Sequence, residues 1–197
     1  MPGCRYGDRS TGGARRNPER YRLPEEVRRS LPDGYEVELS GDLIVMQASP
    51  SPIHQLNPAI VQRRFEAHCP PGYFPSGNSD LSSPEVGSVR NPDLTYLPEE
   101  VIELGREVPA ELALVAVGIV SPSNPENGRT GKVRDFPRMG FPLYLIVDPR
   151  QKTVTLFSEP NRDRYHTRTE REFGETLRIP EPFGFEPDLS RLVPYRD

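Results

Sequence analysis

An aspartate, a glycine and a lysine belong to three successive predicted elements in the middle of this 197-residue chain. Asp93 follows Asn91-Pro92 and opens the short apolar run Leu94–Leu97, Gly118 lies in a longer apolar run, and Lys132 begins a helical pattern. Acids on two neighbouring strands with a lysine nearby can hold a divalent cation and act on a phosphodiester. Because the second strand carries a glycine where an acid is needed, the sequence predicts such a site with one part missing.

Composition limits the classes of protein to consider. Hydrophobic residues make up 34%, there are 24 prolines, the net charge is −4 and the pI is about 5.5. A general polyanion-coating protein is therefore excluded, and a nucleic-acid role needs a local basic groove. No apolar run reaches the ~18 residues that span a bilayer, so we expect a cytoplasmic protein without a membrane segment. Cys4 and Cys69 are expected to stay reduced.

The first 22 residues are rich in Gly, Arg and Pro, which predicts a disordered tail, and residues 23–197 are expected to form one domain.

Leu112–Val120 is nearly continuous apolar sequence, as in a strand buried on both faces. In the strand Tyr35–Leu39, Glu38 lies on the same face as Glu36. A strand face with two glutamates is expected to be exposed to solvent, unless Glu38 belongs to a functional site. The predicted helices are Leu23–Leu31, Ile53–Cys69 and Arg129–Met139. The other predicted strands are Asp42–Gln47, Tyr73-Phe74, Leu94–Leu97, Leu143–Asp148, Thr153–Phe157, Tyr165–Arg168 and Thr176–Ile179.

This order of elements predicts an α/β (α+β) fold, with a mixed central sheet flanked by helices and additional C-terminal antiparallel strands. The chain resembles the bacterial Uma-two family of restriction-endonuclease-like proteins, within the PD-(D/E)XK nuclease superfamily, over about residues 24–195. The resemblance implies a restriction-endonuclease-like sheet. The motifs that carry it are Gly41–Met46, Ser49–His54, Asn91–Asp93, Ile119–Ser123, Lys132, Gly140–Pro149, Pro182–Phe185 and Leu189–Leu192.

The resemblance also implies a set of site residues. The family's metal-binding aspartate falls on Asp93, its lysine on Lys132 and a glutamate of the first hairpin on Glu38, and these three are the expected catalytic residues. Asp93, Glu38 and the backbone carbonyl of Ile119 are the expected ligands of Mg²⁺ or Mn²⁺. The family's remaining ligand is a glutamate in a Glu-x-x-Ser pattern, which reads Gly118-Ile119-Val120-Ser121 here.

A second acid of the family falls on Gly128, so two acids are absent from the pattern. Mg²⁺ takes one or two carboxylates in a demanding octahedral geometry, and Asp93 with Glu38 is expected to bind it weakly or to have lost it. Each candidate has a simpler alternative: Asp93 as a strand-start acid, Lys132 as a solvated helix residue, and His54 as a helix-start residue packed on the sheet.

Two functions from different classes follow. The first is a divalent-metal-dependent endonuclease acting on duplex DNA, weakened or inactive because of Gly118 and forming a two-fold homodimer if it cuts both strands. The alternative is a catalytically dead member that binds DNA or a protein. Five arginines could contact phosphates, or could lie on solvated helix faces: Arg63, Arg64, Arg129, Arg134 and Arg138.

Overall fold

The computed structural model describes residues 26–27, 29–31, 35–40, 43–48, 52–104, 108–121 and 126–195. The predicted tail 1–22 lies outside these residues. Residues 26–27 and 29–30, within the predicted first helix, are helical.

Two α-helices and eleven strands are present among the described residues 35–195. The helices are α1 Pro52–Phe65 and α2 Lys132–Arg138. The strands are β1 Tyr35–Ser40, β2 Leu43–Ala48, β3 Tyr73–Ser76, β4 Leu81–Ser83, β5 Ser88–Arg90, β6 Leu94–Pro98, β7 Val108–Pro109, β8 Ala116–Ile119, β9 Tyr144–Asp148, β10 Thr153–Pro160 and β11 Tyr165–Glu172. Short 3₁₀ helices cover Glu66–His68, Glu99–Leu104 and Ala110–Leu112, and a π-helix covers Asn127–Gly131.

The strands form two mixed sheets. The smaller has the order β2-β1-β5-β4-β7 and the larger the order β11-β10-β9-β8-β6-β3. In the larger sheet β8 runs parallel to β9, and every other neighbouring pair is antiparallel. This arrangement confirms the predicted mixed α+β class, with helices on the sheet and an antiparallel hairpin at its C-terminal edge.

Strand β8 is buried on both faces, as its apolar sequence predicts. Val117 and Ile119 face α1 in one core, which also contains Phe65. Ala116 and Val120 alternate with them and face α2 in a second core. The regular alternation of a strand therefore places Gly118 on the α2 side of the sheet.

Several element boundaries differ from the sequence prediction. Helix α1 ends at Phe65, and the chain continues as a 3₁₀ turn. The residues of α1 that face the protein interior include Asn57, which is fully buried, whereas Leu56 is 46% exposed. Strand β8 begins only at Ala116, because a 3₁₀ turn occupies Ala110–Leu112. The predicted strand Thr176–Ile179 is reduced to one isolated bridge between Ile179 and Phe185.

The predicted helix Arg129–Met139 is also different. A π-helix covers Asn127–Gly131, and α2 follows from Lys132. Glycines at 128 and 131 lower the intrinsic preference for a regular α-helix at this point. The wider turn places the side chain of Asn127 and that of Lys132 on the same buried side.

Candidate functional site

Asp93 lies immediately before β6 and contacts both β8 and α1. Its Oδ2 accepts a hydrogen bond from the backbone N–H of Ile119 at 2.6 Å, and its Oδ1 lies 3.8 Å from Nδ1 of His54. Burial raises the pKa of Asp93 above its ordinary value, and the nearby charges of Lys132 and His54 oppose that rise. The carboxylate is therefore held against the end of β8 by a short charge-assisted hydrogen bond.

Glu38 does not lie on an exposed strand face, so that expectation from the alternation of β1 was wrong. Its side chain is 1% exposed, because α2 and the π-helix cover the face of β1 that carries it. The Nζ of Lys132 lies 2.9 Å from its Oε1. Period-two alternation identifies the residues that share a face, but it does not say whether another element covers that face.

Four N–H donors surround the Glu38 carboxylate. Oε1 accepts from Lys132 Nζ at 2.9 Å and from the Asn91 backbone N–H at 3.0 Å. Oε2 accepts from Arg90 Nη1 at 3.1 Å and from Asn127 Nδ2 at 3.0 Å. A carboxylate has about four lone-pair positions, so its acceptor capacity is used. Burial raises the pKa of Glu38, but Lys132 and Arg90 outweigh it and the pKa lies below its ordinary value.

Lys132 stands at the first position of α2 and is 6% exposed. Besides the contact with Glu38, its Nζ donates to the backbone carbonyl of Asn91 at 2.8 Å. The structure places Lys132 and Glu38 in direct contact within a buried cluster, and the charges of both act on the partly buried carboxylate of Asp93. The alternative of a solvated helix lysine does not describe Lys132.

Arg90 is the residue that the sequence analysis missed. It ends β5 and is 1% exposed. Its guanidinium pairs with Glu38 on one side and with Asp135 on the other. Asp135 also accepts from the Ser40 hydroxyl at 2.7 Å. No spacing in the sequence indicated this pairing, because Arg90 is separated from Glu38 by 52 residues and from Asp135 by 45.

The remaining predicted ligands are engaged with protein groups or absent. The carbonyl oxygen of Ile119 lies 3.3 Å from Nε2 of His54. His54 is buried and lies near the start of α1 against the sheet, in agreement with the alternative of a helix-start residue packed on the sheet. A Cβ placed on Gly118 would lie 2.8 Å from the Tyr144 hydroxyl oxygen. Nothing at position 118 contributes a carboxylate to the cluster.

Three of the five candidate arginines pair with acids. Arg129 pairs with Asp148, and Arg134 donates to Asp135. Arg64 lies 3.0 Å from Asp188 in an exposed pair. Arg63 and Arg138 are exposed. These contacts favour the alternative of charged helix faces over a continuous phosphate-binding surface.

The donor set does not fit the divalent cation that the resemblance implies. Within the described parts of the chain, no group of three His, Cys, Asp or Glu side chains is arranged to hold a metal ion. The four acceptor positions of Glu38 are taken by N–H donors, and the positive charges of Arg90 and Lys132 already pair with Glu38 and Asp135. A cation placed beside Glu38 would need one of these donors to leave.

Among the helices of the described residues, none combines the length and the hydrophobicity of a membrane-spanning segment.

The fold and the sequence both resemble those of known proteins. The fold matches the crystal structure of a "putative nuclease belonging to DUF820" from Anabaena variabilis with a TM-score of 0.63 and 15% sequence identity. The match covers 84% of this chain and 96% of the Anabaena chain. At that identity the likeness shows the fold alone. No curated protein matches. A family model named Uma2 and described as "Putative restriction endonuclease" matches residues 19–191 of the 197. This chain therefore belongs to the Uma2 family.

Proposed function

We propose that this chain is a non-cleaving member of the Uma2 family that binds duplex DNA without hydrolysing it. The observation that carries the proposal is the state of the Glu38 carboxylate, whose two oxygens accept from four N–H groups. Metal-dependent phosphodiester hydrolysis needs a cation that activates water and neutralises developing charge. A carboxylate saturated by N–H donors cannot also bind that cation.

The other acids do not supply the missing ligands. Asp93 uses Oδ2 for the Ile119 N–H, and its Oδ1 faces His54. Gly118 provides no side chain, and Asp135 is committed to Arg90 and Ser40. Two buried basic side chains, Arg90 and Lys132, already pair with Glu38 and Asp135, the two acids that are fully buried here.

A weak metal-dependent endonuclease is the second candidate. The observation that favours it is the presence of Asp93 and Lys132 in one cluster, as a cleaving site would require. Against it, the Lys132 ammonium is already bound to Glu38 and to the Asn91 carbonyl, so this lysine is held away from a water or a phosphate. A two-fold homodimer belongs to this second candidate, since it follows from cutting both strands.

Duplex DNA is proposed as the ligand because the family is one of nucleases. The charges of the chain predict modest affinity, because the net charge is −4 and Arg90, Arg129 and Arg134 are paired with acids. Binding that rests on few phosphate contacts should be weak and should fall further with salt.

A plasmid-nicking assay tests the proposal. Purified native protein and Asp93→Asn are incubated with supercoiled plasmid and either Mg²⁺ or Mn²⁺. We expect equal, background nicking by both, while fluorescence anisotropy with a labelled duplex detects salt-sensitive binding. Metal-dependent nicking by the native protein that Asp93→Asn abolishes would establish the second candidate instead. An absence of duplex binding at low salt would remove DNA as the ligand.

A further inference from the structure

The outer side of β2 is an unprotected strand edge. β2 ends the smaller sheet: it pairs with β1 on one side, and among the described residues no strand lies on its other side. Such an edge presents backbone N–H and C=O groups to which a strand of another chain can add. Natural proteins block these edges with charged side chains, prolines or very short strands. β2 has none of these three features, since Leu43–Ala48 is a six-residue run without a charge or a proline.

The other three sheet edges within the described part of the chain are protected. β7 has only two residues and ends in Pro109, and β3 contains Pro75. β11 has eight residues, but four of them carry a charge. A proline donates no hydrogen bond to an added strand, and a row of charged side chains is costly to cover. β2 is therefore the edge most open to a partner strand.

Exposed hydrophobic side chains lie on both faces of β2. Among the side chains that the structure describes, three large hydrophobic ones are exposed, and two of them, Leu43 at 66% and Met46 at 53%, belong to this strand. Leu43 pairs with Ser40 of β1 and Met46 with Val37, so the two exposed side chains point to opposite faces of the sheet. A partner strand that covers both must have apolar side chains on its own two faces.

We infer that this edge binds a second copy of the same chain, with the two β2 strands antiparallel about a two-fold axis. β2 itself has the side chains that such a partner needs, because all four residues of Leu43–Met46 are apolar and alternate between its two faces. An interface made by the same surface on both subunits closes at a dimer. The two smaller sheets then form one continuous sheet across the dimer.

The charges of the chain favour a second copy over its own first residues as the partner of β2. Residues 1–22 contain six arginines and two acids. Charges placed beside Leu43 and Met46 would lose hydration without gaining an opposite charge, because β2 carries none. Two β2 strands bring no charges together. This inference does not depend on the proposed function, since it rests on the sheet edges and holds for a cleaving and a non-cleaving protein alike.

Light scattering after size exclusion tests the dimer with the full chain. At high protein concentration we expect twice the 22.2 kDa of one chain. The mass should fall on dilution, because six strand residues span only about 20 Å. Met46→Lys places a charge on the edge and should give the mass of one chain throughout, with an unchanged circular dichroism spectrum. The matched control is Leu56→Lys, at the third exposed hydrophobic residue, which lies on α1 and should leave the dimer intact.

Two results of this experiment overturn the inference. One is a native protein with the mass of one chain at every concentration. The other is a dimer that Met46→Lys leaves intact, or that Leu56→Lys dissociates equally well, since either shows that the contact is not made by the β2 edge.

Hydrogen exchange of the native chain locates the contact without a substitution. We expect the outward-facing amides of Leu43–Ala48 to exchange more slowly at high protein concentration than at low, while amides on the β11 edge exchange equally at both. Slow exchange in β2 that does not change with concentration would assign the edge to residues of the same chain and overturn the inference. Concentration-dependent protection confined to another part of the protein would overturn it as well.

Discussion

At the scale of single residues, Glu38 has become part of a buried ion cluster rather than an open ligand. It and Asp135 flank Arg90, and Lys132 completes the neutralisation of charge. Removing one member of a buried ion pair lowers the free energy of unfolding by more than the intact pair contributes to it, because the remaining charge stays buried without a partner. In this protein the positions expected to carry catalysis should therefore carry stability.

Glu38→Gln tests this at the residue scale. We expect it to lower the free energy of unfolding at pH 7 by about 3 kcal/mol, while the exposed Glu111→Gln leaves it nearly unchanged. The pKa of Glu38 lies below its ordinary 4.5 in the folded state, so its contribution is present above pH 4.5 and is lost as pH falls through the lowered value. Urea denaturation between pH 3 and 7 measures both effects. A loss that persists undiminished at the acid end would contradict this account.

At the scale of elements, the π-helix Asn127–Gly131 joins the smaller sheet to α2. Asn127 donates to Glu38 of β1 at 3.0 Å and accepts from Arg90 of β5 at 3.0 Å. Single π turns occur frequently at functional sites, and this one aims an amide into the cluster immediately before Lys132. The turn therefore orders the cluster even though it contributes no charge.

Asn127→Ala should lower the free energy of unfolding by about 1–3 kcal/mol, because it leaves buried hydrogen-bonding groups of Glu38 and Arg90 without one partner each. Chemical denaturation measures the change. The control is Thr130→Ala in the same turn, which removes only an exposed contact with Glu126. A loss no greater than that of the control would mean that the amide does not support the cluster.

At the scale of the whole molecule, α1 and the C-terminal segment enclose one face of the larger sheet. The fully buried side chain of Asn57 binds the backbone of Val193 twice: it donates to the carbonyl at 2.9 Å and accepts from the N–H at 2.8 Å. Tyr195 then donates to the Val120 carbonyl at 3.1 Å, beside the end of β8. The last described residues thus pack against the strand end that holds Asp93.

Asn57→Ala should release this segment and lower the free energy of unfolding by about 2 kcal/mol, with faster hydrogen exchange at Val193 and Tyr195. Gln55→Ala, an exposed change on the same helix, serves as the control. Unchanged exchange at Val193 would show that other contacts hold the segment.

Sequence patterns alone predicted much of the framework. The apolar run around β8, the hairpin of β9 and β10 and the helix that begins near residue 52 all follow from local periodicity, which each segment carries in itself. That Lys132 and Asp93 belong to one site is what the family resemblance implies. The roles of these residues in a site stay predictions.

Only the tertiary structure decided what surrounds these residues. The burial of Glu38, its pairing with Arg90 and the placement of Tyr144 against Gly118 join segments that lie far apart in the chain. Local periodicity assigns a side chain to a face, but the partner that covers that face is chosen by the packing of the whole chain. For this reason the sequence could identify a missing acid, whereas the saturation of the remaining one became visible only in three dimensions.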